Sequence, residues 1–412
     1  MDLGRYGHLT YSTLVHPGDT WEQMWASLTT YVPRVKARVS PNGAFGVSLR
    51  LSAASAQTLI DSSAKREQLK TFLADNDLYL YTVNAFPYGP FKNTIVKEQV
   101  YEPDWRSPQR ARYTENVAEI LADVAPAFVN PSIQSPPLGF KPRVTGDDVV
   151  QAYAANIRRL AVYLHRLRER TGRTVTLALE PEPYCFLETT AETVQFFTQV
   201  LRADASIEAL ASTLEVDAAQ AGAILKRHIG TVYDICHQAV EFEDISASLQ
   251  SLVDHDIAVF KLQEAAAVRI PEVTAEAVRA LKEYADSVYL TQTIERRNGQ
   301  LNRFLNLEDA FRAFDKDPGG QREWRIHFHV PVFLEQLGPL FKTTRFAIEE
   351  ALAFHRHRPL SAQLEIETYT WDVLPEQLKT GDIVDYVVRE LEWVRGQLDG
   401  PAAAGAVSGG SR

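Results

Sequence analysis

Cysteine and methionine are nearly missing from this 412-residue chain, at two each. Cys185 and Cys236 give no disulfide framework, and so few thiols suit a reducing compartment. A basic excess is missing too: 53 acidic residues against 43 Lys and Arg leave a net charge of −10. Phosphate binding needs a positive field, so nucleic acid is not expected as the main partner. No stretch approaches the ~20 apolar residues of a membrane span. The first residues, MDLGRYGHLTYSTLVHPG, lack the apolar run of a signal peptide, and a cytoplasmic protein is expected. No G-x-G-x-x-G follows the first strand and no phosphate loop occurs, which argues against an open dinucleotide-binding sheet. No internal repeat or linker interrupts the chain. One domain is expected over residues 1–398, with a disordered tail at 399–412.

What is present is an alternation of buried strands and helices. Strand-like runs fall at His8 to Val15, Phe45 to Ser52, Leu78 to Phe86, Phe128 to Ser135, Thr174 to Glu180, Gly230 to His237, Ile257 to Leu262 and Gln363 to Tyr369. Helical patterns separate them, the clearest from Asp147 to Gly172 and the last from Pro375 to Leu398. Further strand-like runs, Ser287 to Ile294 and Trp324 to Val332, lie between the seventh and eighth strands. This order predicts an α/β fold, a (β/α)8 barrel with strands inserted before its last strand. An open doubly wound sheet is the runner-up.

In such a barrel the C-terminal strand ends form one mouth, where chemistry is placed. The fifth strand ends in LALEPEP: the prolines stop it and leave Glu180 and Glu182 there. Which of the two carboxylates faces the site stays open, and Glu182 or Glu188 could equally cap the next helix. The sixth strand offers Asp234 and His237, spaced D-x-x-H. The eighth offers Glu365 and Glu367 on one face, and the inserted strand offers His327 and His329 on one face. Carboxylates and imidazoles together suit Mn²⁺, Mg²⁺, Zn²⁺ or Co²⁺. Clustered carboxylates also need a cation to balance them, either a metal or Lys261, Arg296 or Arg297. Arg50, Asn84, Lys261 and Gln263 are candidate substrate-binding residues. The long loop after Phe86 carries Tyr88, Phe91, Tyr101 and Trp105, which could wall a pocket or merely pack the loop.

These residues resemble the xylose-isomerase-like TIM-barrel superfamily of sugar isomerases, epimerases and endonuclease IV. The resemblance implies metal ligands at Glu180, Asp234 and Glu367, with His237, His327 and His329 as further ligands. It also implies proton transfer by Glu180, Glu367 or His237. The chain departs from the pattern at FKLQEA, which has Lys261 and Gln263 where many members carry a strand-seven histidine. More narrowly, NAFPYGPF, VYEPDW, LALEPEP, YDICHQAVEFED, KLQEA, HFHVPVF and ETYTW are similar to the EboE family of metabolite traffic proteins, up to about residue 398. That likeness implies a place in secondary-metabolite precursor handling, a small-molecule ligand and partners from the same operon. The expected activity is metal-dependent isomerisation, epimerisation or elimination on a sugar-like or carbonyl metabolite. The competing expectation is a non-catalytic barrel that carries the metabolite.

Overall fold

The computed structural model describes residues 1–92, 94–285, 289–371, 379 and 381–400. Eight parallel strands form the central sheet: β1 (His8–Tyr11), β2 (Phe45–Arg50), β3 (Leu78–Asn84), β4 (Ser132–Ser135), β5 (Thr176–Leu179), β6 (Ile229–Asp234), β7 (Val259–Glu264) and, last in the chain, β14 (Gln363–Ile366). Their order is β1-β14-β7-β6-β5-β4-β3-β2. A parallel bridge from Ser12 to Ser48 and a hydrogen bond from Thr10 Oγ1 to Gly46 O (2.7 Å) draw β1 and β2 together and nearly close the ring. Nearly every strand residue is buried, as expected where a sheet is covered on both faces.

The covering helices are α1 (Trp21–Val39), α2 (Ala53–Asp61), α3 (Ser63–Asp75), α4 (Pro108–Val124), α5 (Asp147–Thr171), α6 (Thr190–Gln195), α7 (Asp204–Leu214), α8 (Ala218–His228), α9 (Ile235–Val240), α10 (Ile245–Asp254), α11 (Ala275–Ala285), α12 (Leu307–Lys316), α13 (Arg345–His357) and α14 (Ile383–Asp399). The inward stripe of α5, Tyr153, Ile157, Leu160, Leu164 and Leu167, has the spacing that buries one helical face.

Between β7 and β14 the chain builds a second, antiparallel sheet. It consists of β8 (Ala266–Ile270), β9 (Thr293–Arg297), β10 (Gln300–Phe304), β11 (Arg322–Val330), β12 (Gln336–Leu337) and β13 (Phe341–Thr343), in the order β10-β9-β11-β8-β13-β12. Only Ala265 separates β7 from β8, so the insert grows straight out of the barrel mouth.

Several boundaries differ from the sequence reading. The first strand stops at Tyr11 and continues as a 3-10 turn over Thr13–Val15. The sixth stops at Asp234, which caps α9, so His237 stands on a helix rather than a strand. The inserted run at Ser287 to Ile294 becomes a strand only from Thr293, and residues 286–288 lie outside the described residues. So do most of the first turns expected from Pro375, and the expected tail from 401 onward. No helix among the described residues is long and apolar enough to cross a membrane.

Candidate active site at the barrel mouth

Strand register sets the ends of β5, β6, β7 and β14 together. Leu179 pairs with Thr231, Asp234 with Gln263, and Glu264 with Ile366. Glu180 and Glu367 each follow directly on a strand, and Asp234 ends one. One carboxylate oxygen from each of these three residues lies within 4.8 Å of the others. Gln134 Nε2 donates to Glu180 Oε2 (2.6 Å) and Asn84 Nδ2 to Glu367 Oε1 (2.9 Å). Asp234 Oδ1 accepts from the backbone N–H of Cys236 (2.7 Å) and His237 (3.3 Å), as a helix N-cap does. Its Oδ2 is buried with no hydrogen-bond partner among the described residues.

The inserted sheet brings two imidazoles to meet the one on α9. The β8–β11 register slips between Ile326 and Val330, a bulge across the H-x-H segment, and both histidines reach the mouth. His237 Nε2 lies 3.1 Å from His327 Nε2, which lies 3.2 Å from His329 Nε2. Their other nitrogens face acceptors: His237 Nδ1 faces Pro181 O (2.8 Å), His329 Nδ1 faces Glu367 O, and His327 Nδ1 faces Gln292 Oε1 (3.0 Å). The Gln292 amide is oriented by its Nε2, which donates to Glu182 Oε1 (3.2 Å) and Pro183 O (3.3 Å). All three Nδ1 atoms therefore carry the proton, and in the neutral rings three Nε2 lone pairs point at one another.

Both halves want a cation. Burial first, then neighbouring carboxylates, pushes Glu180 and Glu367 well above the ordinary carboxylate range. Burial raises Asp234 to about 6, despite the opposing pull of His329. Burial lowers His237 and His329 to about 4 and holds His327 well below its ordinary value, which disfavours a proton between the rings. No Lys or Arg pairs with Glu180, Asp234 or Glu367 among the described residues. The orphaned Asp234 oxygen, the facing lone pairs and the unbalanced carboxylates fit a divalent ion. Imidazoles that hold a metal characteristically donate their other N–H to a carbonyl, as these do. Asp234, His237 and His329 form a second set of donors within 4.8 Å of one another, and Cys236, His327 and His329 a third.

Of the two LALEPEP carboxylates, Glu180 joins the donor set. Glu182 is held by Tyr101 OH (2.7 Å) and Gln292, and burial pushes it to about 8. Asn84 and Glu367 line the cavity above the donors, but Arg50, Lys261 and Gln263 do not. The Arg50 guanidinium is spent on Gly18 O (3.3 Å), Gly89 O (2.6 Å) and Asp19 (3.5 Å), which ties two loops down. Lys261 sits beneath the mouth, its Nζ on Glu365 (3.1 Å) and Gln134 Oε1 (2.8 Å), and Gln263 Nε2 donates to the same two partners. The strand-seven histidine expected from the family pattern is absent, and His329 reaches the mouth from β11 instead. Arg296 and Arg297 pair elsewhere, with Glu323 (3.0 Å) and Asp317 (2.6 Å). Phe86, Phe91 and Tyr101 line the cavity. Tyr88 packs on Tyr113, and Trp105 Nε1 donates to Ser135 Oγ (3.0 Å).

Sequence reading missed Gln134, Gln292, Tyr289 and Tyr369, all of which line the cavity. It also missed Glu264, fully buried with both carboxyl oxygens unpartnered among the described residues, which burial raises well above its ordinary value. The run KLQEA contained the one signal, a glutamate inside an apolar strand.

No family model matches the chain, and no curated relative matches it. Solved structures do match. An L-ribulose 3-epimerase aligns over 95% of this chain and 94% of its own, at 10% identity and a TM-score of 0.50. An IolI protein with a bound zinc atom aligns over 95% and 97%, at 11% identity and a TM-score of 0.47. A xylose isomerase-like TIM-barrel protein from Mycobacterium smegmatis, in complex with magnesium, aligns over 94% and 98%, at 10% identity and a TM-score of 0.46. At such identities the likeness concerns the fold alone: the chain has a (β/α)8-barrel fold like that of the L-ribulose 3-epimerase, with an added antiparallel sheet.

Proposed function

We propose that the protein is a divalent-metal-dependent enzyme of the isomerase, epimerase or lyase type, acting on a small metabolite with a carbonyl or adjacent hydroxyl groups. The observation that carries this is the meeting of three carboxylates, without a Lys or Arg partner among the described residues, and three imidazole lone pairs at one barrel mouth. Glu180, Asp234, His329 and Glu367 would hold the ion, with His237 and His327 beside them. A bound ion would supply Lewis-acid polarisation of a substrate oxygen. One of Glu180 and Glu367 would take a proton from the carbon beside that oxygen; the proton would return to the neighbouring carbon from the same carboxyl, giving isomerisation, or the same carbon would be reprotonated on its other face by the second glutamate, giving epimerisation. Asn84 and Gln134, through their N–H bonds, keep each carboxylate aimed. His237 is a second acid/base within reach of the cavity, and Glu182, poised near 8, is a further one. The likeness to the epimerase fold supports this reading, and from the sequence resemblance to the EboE family we further propose a role in secondary-metabolite precursor handling.

The test is elemental analysis of the purified chain beside Glu180→Gln and Glu367→Gln, followed by candidate ketoses in D₂O. One equivalent or more of metal, lost in both variants, with solvent deuterium entering the substrate, is the expected result. A chain that stays metal-free after reconstitution overturns the enzyme reading and favours a carrier.

A further inference from the structure

The cavity above the donors, about 560 Å³ including its open mouth, has two ends of different chemistry. Its floor is polar, with Glu180, Glu182, Glu367, His237 and His327. Its upper walls are apolar and come from two small clusters that are each separate from the barrel core. One holds Phe86, Tyr101, Phe140 and Leu290, with the Tyr101 and Phe140 rings stacked at 5.6 Å and 6°. The other holds Leu14, Phe91 and Tyr289, with the Tyr369 ring edge-on to Phe91 (5.6 Å) and to Tyr289 (5.2 Å). Val100 packs against both clusters, and both send side chains into the same cavity.

Two of the polar groups on the walls are engaged within the protein. Tyr101 OH donates to Glu182 (2.7 Å), and Lys97 Nζ donates to the Tyr289 carbonyl (3.1 Å). A free sugar carries a hydroxyl on nearly every carbon, and a hydroxyl pressed against such walls loses its water without gaining a partner. An apolar ring or chain gains there, because aromatic walls grip it by face and edge.

We infer that the ligand has an aromatic or alkyl body and a short oxygenated head. The head, two adjacent oxygens such as those of an α-hydroxy ketone, reaches the Glu180 and Glu367 carboxylates of the floor, and the body lies between the Phe86 and Phe91 clusters. The head rests on the metal-centre reading above; the body is read from the walls alone.

The experiment is calorimetric titration of the full chain, loaded with Mn²⁺, with 2-hydroxyacetophenone, dihydroxyacetone and D-fructose. The aryl ketol should bind at least roughly tenfold more tightly than either of the others, as burial of a ring implies. The advantage should shrink in Phe91→Ser and, independently, in Leu290→Asn. Fructose binding as tightly as the aryl ketol, or no binding of any of the three, overturns the inference while leaving the metal site standing. If the chain takes up no Mn²⁺, the metal reading fails, and the same titration of the metal-free chain decides the body: an aryl preference upholds it and equal binding overturns it.

Discussion

Strand β11 carries Glu323 near one end and His327 and His329 near the other, and the two ends solve the problem of buried charge in opposite ways. Glu323 is surrounded by guanidinium groups: Arg269 (2.8 Å), Arg325 (2.9 Å) and Arg296 (3.0 Å). Their hydrogen bonds and charge outweigh its burial and hold its carboxyl below the ordinary value. At the other end Glu180, Asp234 and Glu367 have no such partner among the described residues, and burial drives all three up. A chain with 43 Lys and Arg is not short of cations. Around Glu323 the protein supplies three guanidinium groups; at the mouth it supplies none among the described residues, which is why we read those three carboxylates as kept for a cation from outside.

The sharpest way to break that contrast is to remove a mouth carboxylate. Glu367→Gln or Asp234→Asn should lower metal affinity by more than roughly 100-fold and abolish turnover. The metal-free variant should melt no lower than the metal-free wild type, because an uncompensated buried charge has been taken away. Elemental analysis and calorimetric melting read both. A variant that keeps its metal, or a marked loss of metal-free stability, would make the mouth carboxylates structural like Glu323.

Next in size is the pair beneath the mouth. Lys261→Met strands Glu365, buried and unpaired, and should cost about 3–5 kcal/mol of stability, with Glu365→Leu in the same chain restoring most of it. It also releases Gln134, whose carbonyl is held by Lys261 and Gln263 so that its N–H faces Glu180. In the double variant, weaker metal binding despite recovered stability would show that Lys261 aims the donors as well as filling the barrel.

The two ends of β11 should also differ in sign with pH. For Glu182 and Asp234 the folded values, about 8 and about 6, lie above the ordinary ones. Their contribution to stability is therefore full below the ordinary carboxylate values, about 4, and is lost as pH rises from there, by about 6 for Asp234 and about 8 for Glu182, at about 1.4 kcal/mol per pH unit for each group titrating. The histidines run the other way: theirs is present above about 6.5 and lost as pH falls toward about 4, so they do not cancel the alkaline arm. Melts of metal-free protein should thus fall between pH 6.5 and 8, and metal-loaded protein should fall less, since the ion replaces the protons of the raised Glu180 and Glu367 while Glu182, outside the donor set, still titrates. Parallel curves for the two forms would remove the site from the explanation.

How much of this was legible in sequence follows from where each signal resides. Continuous apolar runs give away the barrel strands, and a glutamate that follows such a run, as in LALEPEP or LEIETY, has to leave the core at the mouth. His327 and His329 were legible as a pair because their parity is the same. Lys261 and Gln263 were not, because strand parity says that a side chain faces the barrel interior but not which partners hold it there, and these two are spent on Glu365 and Gln134. Arg50 was recruited by the carbonyls of Gly18 and Gly89, far apart in sequence, and nothing local announces that. Gln134 and Gln292 are single amides whose importance comes wholly from partners on other elements. The outer strands of the insert, such as β10 with its largely exposed QLNRF, carry little of the apolar alternation that reveals a strand.

The smallest effect is expected at the satisfied end. Glu323→Gln removes a carboxylate shared by three guanidinium groups, two of which, on Arg269 and Arg296, keep access to solvent. Exposed partners can rehydrate, so the loss should be only about 1 kcal/mol. The buried Arg325 still has the Ala239 carbonyl (2.6 Å) and the Phe242 ring, 3.9 Å beneath its guanidinium. Metal content should not change. Because the folded value of Glu323 is depressed, its contribution is present above the ordinary glutamate value and lost as pH falls through the folded one, so the variant and wild type should converge in acid. If Glu323→Gln instead loosens the metal, β11 is passing strain from its Arg322 end to its histidines, and the two ends, which the bulge between Ile326 and Val330 divides, act as one unit.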